Sequence, residues 1–428
     1  MKHKLILLIF IILGLNSTLC AQSAITNNND ACVIITNPGE NARNEIRINW
    51  HTNLENKESF CIYTERCDTN WQYSTTIKAQ QDLCTTFDSI YSKKASGEDF
   101  YENARFWRCR VELNNLKPDM EYMYRVGTTK MSETHYFKTS SETGEWSCGI
   151  ISDIHTYPPL PQRLESATNM IKTLENCNGK NLDFIIHAGD MCAWGGSHSF
   201  WKELYNESCF HKYMWAGVNG NHDDMARGYA KQTNEYFRYV NNNPENGYDG
   251  EMGVCYYFIY DNALFIMLNN ENMREDEGFA AAQEWVKKII EANHAKYIIV
   301  VEHYHWFWGE SGKAFQYSRW NEFFDKYGVD LAISGNEHIY VRTNSIYQDC
   351  ETNGSIGTVY IQTPSSDNGR GRNLKEWTDN TDLIKYRWTE GANTVGAILM
   401  HANNVNLHLI LYDRNGNKID EVQVMAKR

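Results

Sequence analysis

Proline is scarce in this 428-residue sequence, with 7 in all, and 28 glycines follow no fixed period, which excludes a collagen-like or proline-rich linker chain. Charged residues make up only 22% against 42% hydrophobic ones, so the composition is not that of a disordered segment either. Basic residues are in deficit, 41 Lys and Arg against 54 Asp and Glu. The net charge of −13 argues against a surface built to grip a nucleic-acid backbone, and no nucleic-acid partner is expected. Twelve cysteines are present, but no two stand in a C-x-x-C spacing, so neither a zinc knuckle nor a thioredoxin-type pair is encoded. No segment approaches 18 uninterrupted apolar residues, so no transmembrane helix is expected.

The length suits two or three domains at about 150 residues each. Aromatic residues reach 13%, with 26 Tyr and 13 Trp, a bias toward β-rich architecture. The first 21 residues carry Lys2 and Lys4, the apolar run Leu5 to Leu15, and then Asn16, Ser17 and Thr18 before Ala21. That layout is a secretory signal peptide, and the 11-residue run is short of the roughly 20 that span a bilayer. The expected mature chain begins at Gln22, carries a net charge of −15 and is secreted or periplasmic. Cys20 is the weaker signal, for a lipid anchor, because Leu19 before it is the wrong size. Eleven cysteines then remain, an odd number that leaves at least one free thiol; Cys61 and Cys67 are close enough in sequence for a hairpin bridge.

Residues 32–138 read as short alternating strands, such as Glu45 to Trp50 and Trp107 to Leu113, the pattern of a β-sandwich. The stretch Leu116 to Gly127, followed by Tyr136 to Thr139, resembles the end of a fibronectin type III-like module with a Tyr in its corner. Polar residues at 140–144 mark a boundary, giving a signal peptide at 1–21, a sandwich at 22–142 and a second domain at 143–428. In that second domain apolar runs alternate with helical patterns, the signature of sheets covered by helices. Strands are expected at 148–152, 182–187, 214–218, 264–268, 297–301 and 329–334. A helix from Phe279 to Asn293 carries Phe279, Ala282, Val286, Ile289 and Ile290 on one stripe. From Gly357 to Val424 strands return, with a turn at 413–417.

Polar ligand types fall just after five of these strands: Asp153-Ile-His155, Gly189-Asp190, Gly220-Asn-His-Asp223, His303 and Gly335-Asn-Glu-His338. Ligands gather at the carboxyl ends of strands in such sheets, so these loops are expected to converge. Oxygen and imidazole donors without thiolate suit Zn, Mn or Fe, and a shared carboxylate lets two ions sit about 3.5–4 Å apart. Alone, Asp153 or Asp190 past a strand is an ordinary turn or capping residue. The set in order is a site.

The order D-x-H, G-D, G-N-H-D, a strand ending in His, and G-x-x-H resembles the calcineurin-like metallophosphoesterases. Tyr327 to Thr343 and the preceding sandwich resemble the purple acid phosphatase-like subgroup. The resemblance implies an N-terminal β-sandwich followed by a four-layer α/β/β/α metallophosphoesterase domain. It also implies an exported phosphoesterase that takes a small phosphate ester, most simply a monoester, through hydroxide activated by two divalent or trivalent ions (Fe, Mn or Zn). By resemblance Asp153, His155, Asp190 and His338 hold the first ion, and Asp190, Asn221 and His303 the second. His222 stabilises phosphoryl charge or protonates the leaving oxygen, with Asp223 orienting its ring. The chain departs from the subgroup at Ala193, where the purple enzymes have a Tyr, so no purple colour is expected. It departs again at Asn336, where the family has a His, so the second metal site is expected to be weak, with Asn336 a weak ligand. Two other readings stay open: a binding or adhesion protein with an impaired metal site, and a phosphodiesterase or nucleotidase on the same fold. No sequence feature sets an oligomeric state.

Among the remaining motif residues, His187 reads as a core histidine and Cys192 as a packed or bridged one. His305 contacts substrate or faces solvent. Trp306, Phe307 and Trp308 form a substrate wall or a packed loop. Arg370 and Arg372, in the Gly-rich segment Asp367 to Arg372, reach a substrate phosphate or, the favoured reading, belong to a solvated loop.

Overall fold

Period-two alternation along the central strands decides the layers. In the strand Trp146–Ile151, Trp146, Cys148 and Ile150 face one core and Ile151 another; in Phe184–His187, Phe184 and Ile186 join the first and Ile185 the second. In Tyr297–Val301, Tyr297, Ile299 and Val301 meet that same first core, whereas Ile298 and Val300 enter a third. Strands apolar on both faces are buried on both. The helices Gln162–Asn178 and His198–Tyr205 cover one sheet through Leu164, Ile171, Phe200 and Trp201. Asp276–Ala292 and Phe315–Tyr327 cover the other through Val286, Ile289, Trp320 and Phe324. The result is the expected α/β/β/α stack.

A computed structural model describes residues 31–90, 100–226, 233–308, 312–367, 369–373 and 382–428. The expected signal peptide and Cys20 lie outside the described residues. The ten-stranded sheet runs in the order Lys418–Met425, Asn406–Asp413, Gly396–Ala402, Trp146–Ile151, Phe184–His187, Met214–Gly217, Cys32–Pro38, Ile46–Thr52, Phe100–Leu113 and Gln80–Ile90. Its last four strands face a four-stranded sheet of Thr75–Lys78, Phe60–Glu65, Glu121–Gly127 and His135–Lys138, giving the N-terminal sandwich. Cys32–Pro38 pairs in parallel with Met214–Gly217, Thr36 opposite Met214, so one sheet continues across the boundary expected between residues 142 and 143. The seven-stranded sheet holds Ala263–Met267, Tyr297–Val301, Leu331–Ser334 and Val359–Gln362 as parallel neighbours. Among the described residues no helix is long and apolar enough to cross a membrane.

The six strands expected in the second domain appear within two residues of their positions, whereas the strand expected from Trp107 begins earlier, at Phe100. The helix expected from Phe279 starts earlier, at Asp276, because Asp276 and Glu277 in its first turn suit the positive end of the helix dipole. Trp285 joins its buried stripe. The corner tyrosine is Tyr122, whose hydroxyl accepts the Lys117 backbone N–H at 2.9 Å. No disulfide joins the eleven described cysteines; Cys61 is buried, Cys67 is exposed, and the hairpin bridge is absent.

Tyr122→Phe leaves the Lys117 N–H without this acceptor and is expected to cost about 1 kcal/mol, read as a lowered urea midpoint at unchanged slope. An unchanged midpoint would show that the corner contributes nothing.

Candidate metal centre

Parallel pairing aligns the carboxyl ends of Trp146–Ile151, Phe184–His187 and Met214–Gly217, and separately those of Tyr297–Val301 and Leu331–Ser334. The loops after the first three carry Asp153, His155, Asp190, Asn221 and His222; those after the other two carry His303, Asn336 and His338. The two inner faces pack together, so both sets meet at one edge. The turns are tight. Asp153, His155, Asp190, Asn336 and His338 all adopt left-handed backbone, with φ of 56°, 46°, 58°, 70° and 59°. Each such non-glycine residue costs roughly 1–3 kcal/mol, which the surrounding packing must offset. Gly189 and Gly220 allow the close approach: a Cβ at Gly189 would lie 2.3 Å from His303 Nδ1, and one at Gly220 2.2 Å from Asp190 Oδ1.

Asp190 is the shared group. Its Oδ2 lies 3.1 Å from His155 Nε2 and 3.3 Å from His303 Nε2, while its Oδ1 accepts the His222 backbone N–H at 2.9 Å. His303 is oriented by Nδ1–H donating to Ala188 O at 2.8 Å, which turns Nε2 toward Asp190 and toward Asn221 Oδ1 at 3.2 Å. His338 Nε2 lies 3.5 Å from Asp153 Oδ1, and its Nδ1 is 3.3 Å from Ser365 Oγ. Asp153 Oδ2 accepts the Ser152 hydroxyl at 2.6 Å and the Asn336 N–H at 3.1 Å.

These residues form three overlapping groups, Asp153 with His155 and His338, His155 with Asp190 and His222, and Asp153 with Asp190 and His303; within each, the ligand atoms lie within 4.8 Å of one another. Asp153 Oδ1 is buried without a hydrogen-bond partner, as expected of an atom that a cation would satisfy. The buried clusters are consistent with a dinuclear metal site. Charges in the metal-free chain are correspondingly displaced. Burial pushes Asp153 up to about 7. Burial acts in the same sense on Asp190, but His303, His222 and the hydrogen bonds from His155 and His303 outweigh it and hold Asp190 well below the usual carboxylate range. Burial would lower His303, yet Asp190 raises it to about 10. Burial takes His155 down to about 3.

Several expectations need correction. Asp223 does not orient the His222 ring. Its carboxylate accepts backbone N–H groups from Gly220 at 3.0 Å, Cys192 at 3.0 Å and Met191 at 3.3 Å, because three buried donors of two ligand loops converge there. The His222 ring is held instead by Nδ1–H to Ala193 O at 2.9 Å. His305 is not at the solvent: it is 5% exposed, with Asn336 Nδ2 donating to its Nδ1 at 2.8 Å. That contact leaves the Asn336 amide oxygen as its atom able to reach a cation. Arg370 is not in a merely solvated loop, for its Nε lies 3.8 Å from buried Asp367; Arg372, half exposed, donates to Glu337 at 2.8 Å. Trp306 and Phe307 are buried in the core around Phe324 and Tyr360, a packed loop. The Trp308 side chain lies outside the described residues. His187 is buried, its Nδ1 accepting the Gly189 N–H at 3.1 Å, and Cys192 is a buried free thiol. Sequence reasoning missed Ser152, Arg163, Ser365 and Asp367, which carry no motif of their own; Asp367 was visible only as the start of a Gly-rich segment.

Residues 148–340 match the family described as calcineurin-like phosphoesterase, and residues 32–139 match the purple acid phosphatase N-terminal domain. The chain is a calcineurin-like metallophosphoesterase carrying a purple acid phosphatase N-terminal domain. No curated protein matches it by sequence. Among solved structures it is similar to the purple acid phosphatase from yellow lupin (Lupinus luteus) seeds, with 19% identity, 93% of this chain and 74% of that chain covered, and a TM-score of 0.72. It is also similar to PhoD, with 12% identity, 94% of each chain covered and a TM-score of 0.61. At these identities the likeness is one of fold.

Two outcomes are expected. Asp223→Ala strands three buried N–H donors and should destabilise the chain by about 2 kcal/mol or more, measured by urea unfolding. Metal uptake by the metal-free chain at pH 7 should release protons, because His303 is protonated there and Asp153 partly so, whereas ligands bind deprotonated. Affinity then falls as pH falls; a pH-independent affinity without proton release would contradict this charge assignment.

Proposed function

We propose that this chain is an exported, metal-dependent phosphomonoesterase. The observation that carries the reading is the sharing of Asp190 between overlapping ligand groups from both sheets. Asp153, His155, Asp190 and His338 are the residues that would hold one ion. Asp190, Asn221 and His303 would hold the second, with the Asn336 amide oxygen a weak additional donor. Bound ions of this kind supply Lewis acidity to a phosphoryl group and bring the pKa of water toward neutrality.

The chain's own groups do the rest. His222 keeps its Nδ1 proton on Ala193 O, so Nε2 is the nitrogen free to hold or deliver a proton at the leaving oxygen, or to stabilise phosphoryl charge. Asp223 secures the turn that carries His222 by tying it to the loop after Asp190. Burial of the ligand set keeps bulk water off these charges and strengthens each interaction. Export rests on Lys2 and Lys4, the apolar run Leu5 to Leu15 and the small residue Ala21.

Protein loaded with Mn, Zn or Fe should contain about two ions per chain and hydrolyse phosphate monoesters. Asp190→Asn should lower kcat by about a hundredfold or more and reduce the bound metal. Absence of turnover across a panel of esters in the fully loaded protein would sink the reading.

A further inference from the structure

Beside His222 the surface opens into a depression of about 270 Å³ lined by Tyr157, Arg163, Ala193, Trp194, His222 and Arg370. Ala193 contributes only a methyl group to that lining, beside the aromatic side chains of Tyr157 and Trp194. The Trp194 ring lies 5.6 Å from that of His222, so a ring seated against Trp194 would sit next to the candidate proton donor.

The charges in this depression are unequal. Arg163, near the start of Gln162–Asn178, brings Nε to 3.6 Å from Asp367 Oδ2 and its Nη1 to 3.4 Å from the His155 carbonyl; its guanidinium lies 5.9 Å from the Tyr157 ring centre. Arg370 Nε lies 3.8 Å from the same carboxylate oxygen. Asp367 is fully buried, and this Oδ2 has no hydrogen bond within normal reach. Two guanidinium groups therefore share one carboxylate at ion-pair rather than hydrogen-bond distance, and an excess positive charge remains. The arginine side chains are 16% and 30% exposed, and both line the depression. Guanidinium forks suit planar anions, and aromatic walls suit a planar ring.

We infer that Arg163, Arg370, Tyr157 and Trp194 form a leaving-group subsite for aryl phosphates whose ring carries a second anionic group. Asp367 is the positioning residue that holds both arginines beside the metal centre through its place 3.7 Å from His155 Nδ1. The inference rests on the phosphoesterase reading and deepens it by naming the substrate class.

The test compares 3-carboxyphenyl phosphate with phenyl phosphate in the metal-loaded protein. The carboxylated ester should show a kcat/KM about tenfold or more higher, chiefly through KM, and Arg163→Gln and Arg370→Gln should each shrink that ratio toward one. Calorimetric titration with 3-hydroxybenzoate and with phenol provides an arm that needs no turnover: the benzoate should bind, phenol should not, and either arginine variant should weaken the benzoate. Equal kcat/KM for the two esters, or benzoate binding unchanged in both variants, would overturn the subsite. Absence of turnover with preserved, arginine-dependent benzoate binding would keep the subsite and strike the hydrolase reading instead.

Discussion

The carboxylate of Asp190 is the constraint on which the rest of this structure turns. It is 2% exposed and carries its charge between an imidazole from one sheet and an imidazole from the other. A buried carboxylate survives ionised only where cations or donors face it. His155, His303 and the His222 backbone meet that requirement in the metal-free chain, and metal ions would meet it more fully. The contact also ties the layers together, since His155 and Asp190 follow strands of the ten-stranded sheet while His303 follows a strand of the seven-stranded one.

Holding that carboxylate in place shapes the backbone around it. Five residues of the ligand loops take left-handed φ, and Gly189 and Gly220 stand where a methyl group would strike His303 or Asp190. Strain of this kind persists only where packing over-determines it. Here three apolar cores supply the packing, one between the sheets and one under each helical layer. Asp223 serves the same end from beneath, gathering the N–H groups of two ligand loops, and thereby keeps the His222 turn fixed relative to Asp190.

Much of the layered fold could be read from the chain because strands buried on both faces leave continuous apolar runs, as in Tyr297 to Val301. The candidate ligands could be picked out because each follows such a run within a few residues, and Asp, His and Asn in that order have a narrow chemical use. The electrostatic neighbours were not. Arg163 sits in an amphipathic helix, where an arginine is ordinarily a solvent-facing residue, and Asp367 lies far along the chain from His155. Their relation exists only through the fold. The same holds for Asp223, whose place beside His222 suggested a ring contact that the turn geometry denies, and for His305, which the tight loop turns inward onto Asn336.

The sequence by itself determined the chemistry available here: oxygen and imidazole donors at strand ends, no thiolate spacing, a corner tyrosine, and apolar periods that demand two covered sheets. These are local properties, carried by residue type and spacing. Only the tertiary structure decided which donors share Asp190, which carboxylate gathers backbone rather than a ring, that the sandwich strands and those of the metallophosphoesterase domain join in one sheet through Thr36 and Met214, and that two arginines converge on Asp367. Those outcomes depend on distances between segments remote in sequence, and such distances are set by how the sheets and helices pack.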